Sequence, residues 1–203
     1  MNSKTILLLR VALGLLAIFF GYKIYQLINE PLEFEKIKQR RYDVVKERLV
    51  MIRDAQNAYK DEFNRFCEDI DWLVAFVDTG MINIVERKDS SFAYYDKLYQ
   101  TDMIRDTVVI RVIGRESVKN WVFKDTNFDA NKLMYIPFSN GERFFLDATV
   151  LERRGIRIPV FEVSAPNSAI FQDLSNSVYR DYIDYDFSLT VGSLTEPKFS
   201  GNW

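Results

Sequence analysis

The chain has 203 residues, with 27 Lys and Arg against 29 Asp and Glu, for a formal net charge of −2. That balance offers no bulk electrostatic case for nucleic acid, and an aromatic content of 15% excludes a chain disordered throughout. Histidine is absent and Cys67 is the one cysteine, which removes Ser-His and Cys-His catalysis, an internal disulfide and a thiolate metal cluster.

The first element is apolar. Ile6 to Ile28 is a largely apolar run of 23 residues whose two charges are Arg10 and Lys23, and about 20 suffice to cross the hydrocarbon core as a helix. Both charges lie near the ends, where long cationic stems reach the headgroups. Tyr22 and Tyr25 suit the interface. A cleaved signal peptide and a buried soluble helix are the rivals. The first needs a small-x-small pair after Val11–Phe20, and Phe19, Phe20 and Tyr22 stand there instead. Residues 1–30 therefore read as an uncleaved membrane anchor. Lys4 and Arg10 without an acid resemble an export signal-anchor, although Lys36, Lys38, Arg40 and Arg41 lean the other way. The expected placement is the inner membrane, single-pass, with a cytoplasmic N-terminus and a periplasmic head.

Asn29-Glu30-Pro31 predicts a kink or short hinge, because proline disfavours helix at the residue before it. A helical stalk follows over 31–66. Tyr42, Val45, Leu49, Ile52, Gln56, Tyr59, Phe63 and Phe66 step by three and four, a heptad seam with one polar slot at Gln56. Val44, Ala55 and Ala58 widen it. The plain reading packs this seam on the chain's own sheet; a coiled coil with a partner is the sharper one. Upstream the seam weakens through Phe34 and Ile37, where the helix is expected to leave its sheet. The candidate interaction residues are Phe34, Ile37, Tyr42, Val45, Leu49 and Ile52.

The head is expected over 67–203. Asp69 reads as the N-cap of a short helix with Ile70, Leu73, Val74 and Val77 as its stripe and Gly80 as its stop. Met81–Glu86 turns toward a period of two and reads as a strand, Lys88–Ser91 reads as a loop, Phe92–Tyr99 stays open, and Thr107–Ile113, near-continuously apolar around Arg111 and closed by Gly114, reads as the strongest strand. Ser117–Phe123 suggests a helical turn placing Val118, Trp121 and Val122. Asn140-Gly141 predicts a two-residue hairpin with Pro137 opposite Phe144, Tyr135 opposite Leu146 and Leu133 opposite Ala148, all on the core face. Arg154-Gly155 predicts another, with Glu152 opposite Arg157 and Leu151 opposite Ile158. Pro159 then marks an edge or a bulge. Tyr179–Tyr185 fits either a strand or a helix. Trp203 reads as docked at the end of a polar tail.

No glycine-rich phosphate loop, zinc motif or nucleophile elbow occurs. Asp69/Asp71, Asp125/Asp129 and Asp181/Asp184/Asp186 are carboxylate clusters without the spacing of a calcium loop, and they read as surface groups. No cofactor is expected and the chain does not read as an enzyme.

Ile52-Arg53-Asp54-Ala55-Gln56, Tyr59, Phe63-Asn64-Arg65-Phe66 and Ile70-Asp71-Trp72-Leu73 together resemble the helix-to-loop region of type IV pilins and the major pseudopilins of type II secretion. The resemblance covers about 25 residues and the general layout. It implies a membrane-anchored helix running into a periplasmic head. The family's glycine cleavage site and early glutamate are not matched: Gly14 and Gly21 lie inside the apolar run, and no acid precedes Glu30. The layout is also similar to single-pass subunits of bacterial secretion or gliding machines that keep their anchors.

The expected architecture is α+β: an N-terminal transmembrane helix, then a long amphipathic helix packed on a small antiparallel sheet. The expected role is a non-enzymatic envelope subunit whose partners are the membrane and other subunits. A membrane-anchored module for a lipid, glycan or peptide is the alternative.

Overall fold

The computed structural model describes residues 3–96, 98 and 100–203. The chain is organised on one helix, α1, Ser3–Phe63. α2 spans Ile70–Thr79, β1 Met81–Asp96, β2 Thr101–Ser117 and α3 Val118–Phe123. β3 spans Phe145–Arg153, β4 Ile156–Pro166, α4 Asn167–Ile170 and β5 Ser188–Gly192. The strands form two separate antiparallel sheets, β1-β2 and β3-β4-β5. The molecule is thus a mixture of helix and sheet, with a long apolar N-terminal helix and small antiparallel sheets.

The break expected at Asn29–Pro31 does not occur: α1 runs through Pro31. Proline forfeits one backbone hydrogen bond there. Downstream, Leu32, Glu33, Glu35 and Lys36 are good helix formers, and from Phe34 onward tertiary packing holds the helix in place. α1 stops at Asn64, which turns left-handed at φ 55°, a conformation asparagine tolerates better than most residues.

The stalk seam packs on the chain's own head. Val45, Leu49, Ile52 and Ala55 are fully buried. They meet one face of the three-stranded sheet. Leu146 pairs with Val163 and Val163 with Val191, while Ala148 pairs with Phe161 and Ala165 with Leu189. Because directly opposed residues share a face, these side chains form one apolar layer, and nearly all of it is buried. α2 covers the end of the helix with Ile70, Leu73, Val74 and Val77, and Asp69 caps it through Asp71 N–H at 2.8 Å. Val118 of α3 is buried beside them, while Trp121 stays exposed.

Two hairpins differ in outcome. At Arg154-Gly155 both residues have positive φ, 53° and 77°, as a type I′ turn demands. Glu152 faces Arg157 and Leu151 faces Ile158, as expected. At Asn140-Gly141 the narrow turn does not form. Tyr135 bridges Arg143, and Ile136 N–H donates to Glu142 C=O at 2.8 Å. The Ser139 hydroxyl donates to Ile136 C=O and accepts from Glu142 N–H, and Asn140 N–H goes to the Gln172 side chain. This wider loop shifts the register. Ile136 takes the buried position, Tyr135 turns outward, and Leu133 reaches the core from a 3-10 turn over Ala130–Leu133.

Pro159 sits in the central strand of its sheet, not an edge strand. β5 covers only Glu162–Pro166, so Pro159 has one neighbour, Val150 of β3. Tyr179–Tyr185 is irregular around a 3-10 turn at Arg180–Tyr182. The tail closes beside β5: Gly192 N–H donates to Ser200 C=O, and Asn202 N–H donates to Thr190 C=O while its side-chain oxygen accepts from Thr190 N–H. Trp203 lies against Lys46, the ammonium 5.9 Å from the ring centroid, with half its surface exposed.

The largest difference is in 81–117. Lys88–Ser91 is not a loop; β1 continues through it to Asp96. Lys97 and Tyr99, at the end of the stretch left open, lie outside the described residues. β1 and β2 pair from Met81↔Ser117 to Asp96↔Thr101, with a bulge after Ile84. The result is a two-stranded arm roughly 50 Å long, at about 3.3 Å per residue.

Candidate interaction surfaces

Three surfaces stand out, and each follows from how α1 is used along its length. From Arg10 to Ile28 every residue of the helix is exposed except Gln26, which is half-buried. Its surface is therefore Val11, Leu13, Leu15, Leu16, Ile18, Phe19 and Phe20, then Tyr22, Ile24, Tyr25, Leu27 and Ile28, with Arg10 and Lys23 as its charges. An all-round apolar helix has no stable place in water. By length and composition this is one candidate membrane-crossing helix near the N-terminus.

The second surface is the base of the head. Five of the six candidate seam residues, Phe34, Tyr42, Val45, Leu49 and Ile52, are buried, and Ile37 is half-buried. The fold brings them together along one face of α1, toward the interior. Phe34, a candidate partner contact by sequence, is buried in the chain's own head. Its ring meets Phe171 at 5.6 Å and both Tyr179 and Tyr182 at 6.0 Å. Those covering residues come from the far end of the chain, so nothing near Phe34 in sequence announced them.

Polar groups fix this base. Arg41 forms a fork onto Asp173, at 2.6 and 2.7 Å, and also donates to Ile170 C=O at 2.8 Å. Its guanidinium lies over Phe138 and Phe171. The Arg41 hydrogen bond holds the Asp173 carboxyl below the usual aspartate range, against a smaller opposing effect of burial. Tyr42 Oη donates to Asn167 Oδ1 at 2.8 Å, and Asn167 Nδ2 donates to Asp184 C=O at 2.8 Å. Burial raises the Tyr42 phenol above its ordinary value. A small cleft of about 180 Å3 opens between Lys38, Tyr42, Tyr182 and Phe187.

At the other end of the packed stretch, the polar slot of the seam is explained. Gln56 is fully buried. Its Nε2 donates to Cys67 C=O at 2.8 Å, and its Oε1 accepts from Cys67 N–H at 2.9 Å. The side chain thus satisfies both backbone groups of one residue in the turn after α1, groups that would be costly if left unpaired. Cys67 is itself buried, its Sγ donates to Asp69 C=O at 3.1 Å, and burial pushes the thiol pKa up. Neither its position nor its chemistry suits pairing with another chain. A shallow open cleft of about 440 Å3, lined by Tyr59, Arg65, Glu68 and Trp72, lies over this turn.

The third surface is the arm. Opposed residues beyond the bulge share faces, so one face carries Val85, Ala93, Tyr95, Ile104, Val108, Ile110 and Val112, together with Arg87, Asp89, Asp102 and Asp106. The other mixes Phe92, Tyr94, Met103 and Val109 with Glu86, Lys88, Arg105 and Arg111. The apolar residues are exposed on both faces, Ile104 by 75% on the first and Val109 by 50% on the second. The arm's root faces Ala58, Glu62 and Trp121 across a cleft of about 580 Å3. Glu62 there accepts from Asn83 Nδ2 at 2.8 Å. The apolar composition of 107–113 was legible in the sequence; its lack of a covering layer was not.

The three carboxylate clusters are turn and capping groups. Asp69, Asp125, Asp129 and Asp184 each accept a backbone N–H two residues on. Asp71 pairs with Arg143 at 2.9 Å. Among the described residues no three His, Cys, Asp or Glu side chains are grouped to hold a metal ion.

Comparison with protein-family models, with curated proteins and with solved structures finds no match.

Proposed function

We propose that the chain is a non-enzymatic, single-pass, membrane-anchored subunit of a bacterial envelope assembly, pilin-like in layout, of the secretion, pilus or gliding kind. Residues 6–28 lie in the inner membrane, with the N-terminus cytoplasmic and the head periplasmic. The observation that carries this reading is α1 itself. One unbroken helix is bare and apolar over 10–28 and buried in a folded head from Phe34 to Ala58. Each half needs a different solvent, and a bilayer boundary between them supplies both.

The assembly part of the reading is supported by the arm. An isolated two-stranded ribbon is marginal in water, and this one exposes apolar side chains along its whole length. β2 pairs with β1 on one side only. Its open edge, with Val108, Ile110 and Val112 on one face, fits an added strand from another subunit with alternating apolar side chains. The head's seam is already occupied by its own sheet, so the arm takes the part that a free coiled-coil seam would have played.

The test uses the full-length chain in native membranes. Protease added from the periplasmic side should release the head and leave 1–28 protected. The native complex carrying the protein should shift to a smaller size with Val108→Lys plus Ile110→Lys, and β2 amides should exchange more slowly in that complex than in the purified chain. Extraction of the protein by alkaline carbonate would overturn the anchor. An unchanged complex together with fast-exchanging β2 amides would overturn the arm's role.

A further inference from the structure

We propose that the loop over 174–186 is a second membrane contact, a collar at the foot of the head that sits in the headgroup layer, with Val178 as its apolar tip and Tyr179 beside it. The inference rests on the anchored reading above, and it assigns a lipid partner to a part of the chain outside the anchor.

α1 serves as the ruler. The exposed apolar run ends at Ile28. At about 1.5 Å of rise per residue, Glu30 lies ~3 Å and Glu33 ~7.5 Å beyond it. The polar layer on each side of the hydrocarbon core is roughly 5–7.5 Å deep. Glu30 to Glu33 therefore stands at headgroup level, and whatever touches those residues stands there too.

The loop reaches this level. The Tyr179 hydroxyl donates to Glu33 Oε2 at 3.1 Å. The Glu33 and Glu30 carboxylates both hold its phenol above the ordinary range, Glu33 first through that hydrogen bond. Tyr179 and Tyr182 are pinned from above by Phe34, so the loop is held against the helix and does not hang free. Next to Tyr179, Val178 is 66% exposed, and on the helix at the same level Leu32 is 56% exposed. These two side chains extend the bare apolar surface of α1 from the helix onto the head.

The chemistry suits an interface. Tyrosine rings and single aliphatic tips favour the headgroup boundary. Asp181, Asp184 and Asp186 are exposed on the same loop against one exposed base, Arg180, so the contact is apolar and not a polybasic attraction to anionic lipid. Phosphatidylcholine is the fitting probe.

The experiment places the full chain, with Cys67→Ser to remove the native thiol, in phosphatidylcholine vesicles. Environment-sensitive fluorophores are attached one at a time through Val178→Cys, Asn176→Cys, Ile18→Cys and Trp72→Cys. Trp72 lines a cleft with Tyr59, which lies ~46 Å up the helix from Ile28 by the same rise. Lipids spin-labelled near the headgroup should quench the probe at 178 strongly and that at 176 less, with a blue-shifted emission at 178. Lipids labelled deep in the chains should quench 18 and spare 178. The probe at 72 should report water throughout. Quenching at 18 with 178 and 176 both as wet as 72 would overturn the collar and leave the anchor standing. No quenching at 18 would overturn the anchored reading itself. The position-176 variant keeps the test decisive if Val178→Cys perturbs the loop.

Discussion

The two halves of α1 are one helix with one backbone geometry, yet they obey opposite rules. Over 10–28 apolar residues appear on every side and all face outward; over 42–58 they occupy one stripe and face inward. Both are regular helix, so the difference lies in what surrounds the helix. The packed half is shaped by a sheet that begins only at Phe145. The bare half meets no other element of the fold, so nothing in the folded chain sets it a preferred face.

The sharpest way to break this comparison is to truncate the buried seam. Ile52→Ala, and likewise Leu49→Ala, should destabilise the head by roughly 2–5 kcal/mol, as truncation of fully buried aliphatic side chains does. Chemical denaturation of the full chain in detergent, read through the head's tryptophans, measures it. A loss under about 1 kcal/mol would contradict packing of the seam in the head's core, since surface changes stay within roughly half a kcal/mol.

A smaller loss is expected at the polar slot. Gln56→Ala leaves the Cys67 N–H and C=O without partners and should cost about 1–3 kcal/mol. Gln56→Leu should cost a similar amount, although it preserves apolar volume in the seam. If leucine instead rescues stability, the hydrogen bonds to Cys67 contribute little.

The Arg41–Asp173 fork gives a dependence on acid. Asp173 is held below its usual range by Arg41, so the folded chain binds that proton less readily than the unfolded chain. The stabilisation is complete above the ordinary aspartate value of about 3.9 and is lost as pH falls through the lowered native value. Unfolding curves taken between about pH 5 and pH 3 should fall more steeply for the natural chain than for Asp173→Asn. Parallel curves would remove the fork from the account.

The smallest effect belongs to the bare half. Ile18→Ala should change head stability by less than about half a kcal/mol, as at any site with no folded neighbours. A larger loss would mean that 10–28 packs on the head and that the contrast between the two halves is false.

Local signals were the legible ones. Asp69, the Ile70–Val77 stripe and Gly80 bound α2 within ten residues, and Arg154-Gly155 sets its hairpin by backbone conformation alone. The seam was legible because its period repeats, and its one irregular member, Gln56, proved to bond across eleven residues. What escaped was decided at long range. Pro31 reads as a breaker locally, but packing holds the helix on one side of it. Asn140-Gly141 favours a narrow turn, but Gln172 and the Ser139 hydroxyl open it. Lys88–Ser91 is polar enough for a loop, yet it is zipped against Thr107–Val109 and Asp106. Phe34 looked like a partner contact because its cover arrives from Phe171, Tyr179 and Tyr182.

The lock between Gln56 and Cys67 has a kinetic side. The chain's one thiol lies behind a turn whose two backbone groups are held by a single carboxamide, and its sulfur points at the Asp69 carbonyl. Reagents in bulk water reach that sulfur when the turn opens. Alkylation of the native protein therefore works as a stopwatch for one specific motion, the unlatching of the corner between the rod and the head. The stopwatch should run faster in Gln56→Ala and keep its pace in Ile18→Ala. It times the corner in the full-length chain through its native cysteine, with no engineered probe site.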